Sequence, residues 1–134
     1  MLNFTIPFLP PSLNSIYKAT NLKGGGIRIY KTEEAKRFER NASFFLPKFL
    51  FKEKVEIYLR FFISTPEKRD LDNLLKLTLD ALEGRIIEND SQIWSLTCHK
   101  YEVEEPKEER VEIDVIPLTP SKSQNKGGKK GKMD

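Results

Sequence analysis

Between positions 55 and 63 the chain reads VEIYLRFFI, with Val55, Ile57, Leu59, Phe61 and Ile63 at every second position. A repeat of two is the signature of a strand with one face turned to a core, so this run predicts a central strand that needs apolar cover. Two segments offer that cover. The first follows Thr32, a natural N-cap, and places Ala35, Phe38, Ala42 and Phe45 on one helical face before Pro47 stops it. The second is EKRDLDNLLKLTLDALEG, residues 67–84, in which Leu71, Leu74, Leu75, Leu79 and Leu82 form a stripe and Gly84 is the terminator.

Shorter strands complete the pattern. Leu2, Phe4, Ile6 and Phe8 alternate up to Pro10-Pro11, IRIYK lies at 27–31, a strand is expected over 93–103, and Val111, Ile113 and Val115 mark a last one after the charged turn EEPKEE. PPSLNSIYKATNLKGGG between the first two strands reads as a long loop, and such loops are more often functional than decorative. The order predicts an α+β fold, a mixed sheet with two helices packed on it.

At 134 residues with 38% hydrophobic side chains, the chain suffices for one core. From Pro117 on, PLTPSKSQNKGGKKGKMD is rich in lysine and glycine and poor in large apolar groups, so the domain is expected over 1–117 with a disordered lysine-rich tail over 118–134. A single cysteine, Cys98, rules out an internal disulfide and a thiolate zinc cluster. No apolar run approaches the roughly 20 residues that span a bilayer, and MLNFTIPFLPP lacks the basic and small-residue marks of a signal peptide, so a cytoplasmic location is expected with no membrane partner. A net charge of +3 says little about a polyanionic partner, and the distribution of charge says more.

Asp70 and Asp72 stand within three residues of each other at the entrance of the leucine-striped helix, where like charges repel. One reading is structural: Asp70 caps the helix, Asp72 complements its dipole, and Asp72, Lys76 and Asp80 form a ladder of ion pairs. The other is a metal site. A helix of this length runs roughly 20 Å, and the residues from Gly84 to Asp90, if extended, cover a similar distance back, so that Asp90 is expected beside Asp70 and Asp72. Three carboxylates at one point require a cation, and oxygen donors alone suit Mg²⁺ or Mn²⁺ rather than zinc. Lys76, one turn from Asp72, is in reach of a phosphate oxygen or a water beside the ion, whereas Asp80, two turns away, is assigned to pairing with Lys76. His99 is read as structural. Phosphodiester hydrolysis is the chemistry such a set serves, because a divalent ion activates water and neutralises charge at phosphorus.

The motifs PPSLNSIY, RDLDNLLKLTLDAL and ENDSQI, in that order and spacing, make the chain resemble the RusA family of Holliday junction resolvases. The resemblance implies that Asp70, Asp72 and Asp90 are catalytic, metal-binding acids and that Lys76 is a basic residue needed for cleavage. It also implies a homodimer whose paired sites nick symmetric strands of a four-way junction. Asn89 departs from the pattern, since many relatives carry a further aspartate there. Its carbonyl oxygen remains a possible ligand without charge.

Lys68 and Arg69 precede the acids and read either as contacts to DNA phosphates or as a screen for the carboxylates. Lys18, Lys23, Arg28 and Lys31 flank Gly24-Gly25-Gly26, either as a basic flap that orders on a junction or as a solvated loop, and Asn14, Tyr17 and Lys18 are placed at the site mainly on the strength of the resemblance. The glycines lack the Gly-Lys-Ser/Thr ending of a phosphate loop, so no nucleotide cofactor is expected. Lys122, Lys126, Lys129, Lys130 and Lys132 of the tail either add salt-sensitive DNA affinity or solubilise. Three functions follow: a Mg²⁺-dependent junction endonuclease, a non-catalytic DNA-binding protein using the basic loop and tail, and a metal phosphohydrolase of small nucleotides.

Overall fold

A computed structural model of the chain describes residues 1–12 and 17–118; Asn14 and the tail beyond Leu118 lie outside the described residues. The elements run β1 (Leu2–Ile6), β2 (Tyr17–Asn21), β3 (Ile27–Lys31), α1 (Glu33–Ser43), β4 (Val55–Ile63), α2 (Leu71–Leu82), β5 (Ile93–Glu102) and β6 (Arg110–Pro117). Four strands form one sheet in the order β1-β6-β4-β5. β6 is antiparallel to both β1 and β4, while β4 and β5 are parallel. The α+β architecture with a mixed sheet and two helices is therefore the one the sequence predicts.

β4 sits inside this sheet because every second residue of it is fully buried and both of its edges are paired. Val55, Ile57, Leu59, Phe61 and Ile63 join Val111, Ile113 and Val115 of β6 on the face that the helices cover. α1 supplies Ala35, Phe38 and Ala42, and its start is fixed by Thr32, whose Oγ1 accepts the Ala35 amide at 3.2 Å. α2 supplies Leu74, Leu77, Ala81 and Leu82. Its buried face also holds Thr78, satisfied by donating to the Leu74 carbonyl at 2.8 Å. Leu71, Leu75 and Leu79 flank this face and stay partly exposed, so the helix is turned about Leu77 rather than centred on the expected stripe.

Three expectations need correction. β1 ends at Ile6, and Phe8 instead packs its ring edge-on against Phe38 and Phe45, each at 5.8 Å. Phe45 lies beyond the end of α1 and is 46% exposed, because the helix stops at Ser43. The segment read as one long loop contains β2, which pairs with β3 as an antiparallel hairpin in register Tyr17↔Lys31 to Asn21↔Ile27. Gly24, Gly25 and Gly26 form its turn with φ of 82, 100 and 94°, a run of left-handed residues that side chains resist. Period-two burial could not reveal this hairpin, since Ile27 is 66% exposed and the pair stands outside the main sheet.

Candidate active site

β4 ends at Ile63 and the chain passes through a 3-10 turn, Pro66–Lys68, into α2. This entrance is tied down on three sides. Ser64 donates its amide and hydroxyl to Glu109 at 2.9 and 2.7 Å, Arg69 donates to the Pro10 carbonyl, and Lys100 donates to the carbonyls of Pro66 and Arg69, both at 2.9 Å. Burial lowers the pKa of the Arg69 guanidinium, with the charge of Glu109 opposing the shift. A half-buried arginine on a main-chain carbonyl is a strut, so Arg69 is spent on structure, whereas Lys68 is exposed. Lys100 escaped the sequence reading. The one available signal was parity: it faces the side of the sheet that Phe61 faces, an unusual place for a lysine without a partner to reach.

Asp70 is the N-cap of α2 with extended dihedrals, φ −80° and ψ 135°, but its carboxylate makes no capping hydrogen bond. Only its main-chain carbonyl serves the helix, accepting the Leu74 amide at 3.2 Å. Asp72, in the first turn, accepts the Asn73 amide at 3.0 Å. Both side chains are exposed, and the positive end of the helix favours their charge. The capping role for the Asp70 side chain is thus not taken, and two carboxylates at the helix entrance keep lone pairs for another partner. Lys76 pairs with Asp80 at 3.9 Å, as the spacing suggests. Asp80 also lies 3.9 Å from Lys31, which in turn binds Glu39, so Lys31 links β3, α1 and α2 instead of facing a flap's solvent side.

Asp90 is not where the extended-chain arithmetic puts it. After α2, Gly84 turns the chain with φ +83°, Arg85 and Ile86 donate their amides to the Leu82 carbonyl at 3.0 and 2.8 Å, and Ile86 and Ile87 are fully buried. The Phe51 amide donates to the Ile86 carbonyl at 2.7 Å, and the Gln92 side-chain amide donates to the carbonyls of Phe51 and Glu53, both at 2.9 Å. This compact turn keeps Asp90 at the C-terminal end of α2, ahead of Ile93, which pairs with Val55 at the start of β4. The return journey is made by β5 itself. From Ile93 to Lys100 it advances seven residues, about 23 Å, before reaching the entrance of α2. Within one chain Asp90 and the Asp70–Asp72 pair therefore occupy opposite ends, and among the described residues no group of three or more acidic, histidine or cysteine side chains is placed to hold an ion.

Asn89 is committed as well. Its side chain accepts the Ser91 amide at 2.9 Å while the Gln92 side chain accepts the Glu88 and Asn89 amides at 2.7 and 2.9 Å, a capping box that leaves Asp90 exposed at the turn. His99 is exposed on the outer face of the sheet, tilted against Tyr101 at 6.1 Å. Lys23 and Arg28 are exposed on the β2–β3 hairpin, and Tyr17 and Lys18 open β2.

The donor chemistry at α2 fits a hard divalent ion in part: Asp70 and Asp72 are two accessible carboxylates, and Mg²⁺ is usually held by one or two carboxylates besides water and substrate phosphate. A family model described as endodeoxyribonuclease RusA matches residues 7–116, and the chain belongs to this family. No curated protein matches it. No described helix is long and apolar enough to cross a membrane.

Proposed function

We propose that the protein is a Mg²⁺- or Mn²⁺-dependent endodeoxyribonuclease that resolves four-way DNA junctions as a homodimer by paired symmetric nicks. Each site would consist of Asp70, Asp72 and Lys76 of one copy with Asp90 of the partner subunit. The observation that carries the reading is the pair of carboxylates at the α2 entrance, unused by the helix they begin, in a chain of an endodeoxyribonuclease family. Their separation from Asp90 by the length of β5 supports two copies rather than one.

In this site Asp70 and Asp72 would hold the ion, with Asp90 of the partner subunit as a third oxygen ligand. When bound, the ion would lower the pKa of a water and offset charge on the phosphoryl oxygens. Lys76, one helical turn or about 6 Å from Asp72, neutralises a phosphate oxygen next to the cut. Its exposed pairing with Asp80 costs little to break, since such pairs contribute at most about 1 kcal/mol. Lys68, Lys23 and Arg28 bind the DNA backbone without reading sequence, an affinity that falls as salt rises.

A four-way junction, its parent duplex and a single strand, each incubated with and without Mg²⁺, give the direct test. Symmetric nicks confined to the junction and abolished by chelator are the expected outcome. Tight junction binding with no cut in Mg²⁺ or Mn²⁺ would favour the non-catalytic DNA-binding reading, which the lack of a three-acid group among the described residues also supports. Equal hydrolysis of all three substrates, or of mononucleotides, would overturn the junction specificity.

A further inference from the structure

The connection between α1 and β4 reads FFLPKFLF over 44–51, and Phe51 is its only buried residue. Phe44, Phe45, Phe49 and Leu50 are exposed, Phe49 to 53%. Folded chains seldom gather large apolar side chains on one exposed stretch unless a partner covers them. Basic groups flank this one. Arg40, Lys48 and Lys52 are exposed, and Lys52 is only loosely paired, 3.9 Å from Glu88.

The connection is also fastened to the turn that carries Asp90. The Phe49 ring packs edge-on against Phe51 with centroids 4.7 Å apart. Phe51 in turn donates its amide to the Ile86 carbonyl at 2.7 Å and accepts the Gln92 side-chain amide at 2.9 Å. Gln92 closes the short turn Asp90–Gln92. Phe49 is therefore a ring supported by a buried neighbour and half open to solvent, mounted on the frame that sets Asp90.

We propose that Phe49, with Leu50 beside it and Lys48 and Lys52 on the adjoining phosphates, binds the exposed base faces at the branch point of a four-way junction and so separates junctions from continuous duplex. The proposal rests on the reading of Asp90 as a ligand at the cut. Three properties favour DNA over a protein partner. The basic groups around the rings suit a polyanion. A strand that reaches an ion held by Asp90 lies close to the connection fastened to the same turn. Most of the exposed apolar groups are rings, which stack on any base. In a continuous duplex each base face is covered by its neighbour, and a ring gains access only by unstacking it; at a branch point the stack is already interrupted.

Binding is measured in chelator, so that no cut intervenes, with a fixed four-way junction and a duplex of the same arm sequence as probes. Phe49→Leu keeps an apolar side chain against Phe51 and removes the stacking plane, while Phe49→Trp restores one. Phe49→Leu is expected to bind the junction about 10-fold more weakly, in line with the loss of one stacked base, and the duplex almost as the parent does. Phe49→Trp should recover the junction affinity. In the native protein, a 5-iodouracil placed at the branch point and irradiated should cross-link to a peptide from 44–51, a readout that needs no variant to fold. An unchanged ratio of junction to duplex affinity in Phe49→Leu, an equal loss on both probes, or cross-links only outside 44–51 would overturn the base contact. A parent protein that cuts junctions while Phe49→Leu stays as selective as the parent would remove this proposal and leave the nuclease reading standing. A Phe49-dependent preference in a parent that never cuts in Mg²⁺ or Mn²⁺ would uphold the contact and remove the nuclease reading.

Discussion

Asp72→Asn is expected to lower junction cleavage by about three orders of magnitude, since a ligated ion supplies several kcal/mol and each 1.4 kcal/mol or so is a factor of ten. Junction binding in the absence of metal should survive, because Lys68, Lys23 and Arg28 are untouched. The fold should survive too. Asp72 is exposed and accepts the amide of the next residue, so the loss is confined to a favourable charge at the helix start. A three-acid crowd in one chain would have made the substitution stabilising through relieved repulsion. With Asp90 at the other end of the molecule no such gain is expected, and the thermal midpoint should drop slightly or hold. Single-turnover cleavage and a melting curve on the same preparation measure both parts.

Phe61→Ala has the largest expected effect on stability, a loss of about 3–5 kcal/mol, because a fully buried aromatic ring is deleted and the rigid sheet fills the cavity only in part. Domains of this size hold only about 5–15 kcal/mol, so much of the margin goes. Phe61 lies between Val111 on β6 and Lys100 on β5. Relaxation around the cavity therefore reaches the lysine that holds the α2 entrance, and cleavage should weaken beyond what the unfolded fraction explains. Urea unfolding is expected to show a lower midpoint with an unchanged slope. A midpoint within experimental error of the parent would place the core elsewhere.

What could be read from the residues was set by whether an element buries one face. β4 and β6 announce themselves by alternation, and α1 by the Thr32 cap and its apolar face, because packing enforces those patterns. β3 was legible as IRIYK, whereas β2 rests on backbone pairing and a three-glycine turn, and its described side chains from Ala19 to Asn21 are exposed. Arg69 and Lys100 were misjudged or missed since their partners are main-chain carbonyls remote along the chain, which composition does not encode. The position of Asp90 failed for a more instructive reason. Treating 84–90 as extended ignored two adjacent isoleucines, Ile86 and Ile87, which bury best in a tight turn under the helix, and ignored the Asn89–Gln92 capping pattern that marks a turn start. Where Asp90 lies relative to Asp70 and Asp72 was not legible, because it depends on where parallel β5 begins.

Mixing two inactive variants is the most direct measurement of a shared site. Asp72→Asn chains exchanged with Asp90→Asn chains form heterodimers in which one site collects both substitutions and the other collects neither. Such mixtures are expected to regain single nicks, seen as nicked circles from a supercoiled cruciform plasmid, while a mixture of Asp70→Asn with Asp72→Asn chains stays inactive. Heterodimers of the first kind that form, bind the junction and leave it uncut would contradict a site divided between two copies.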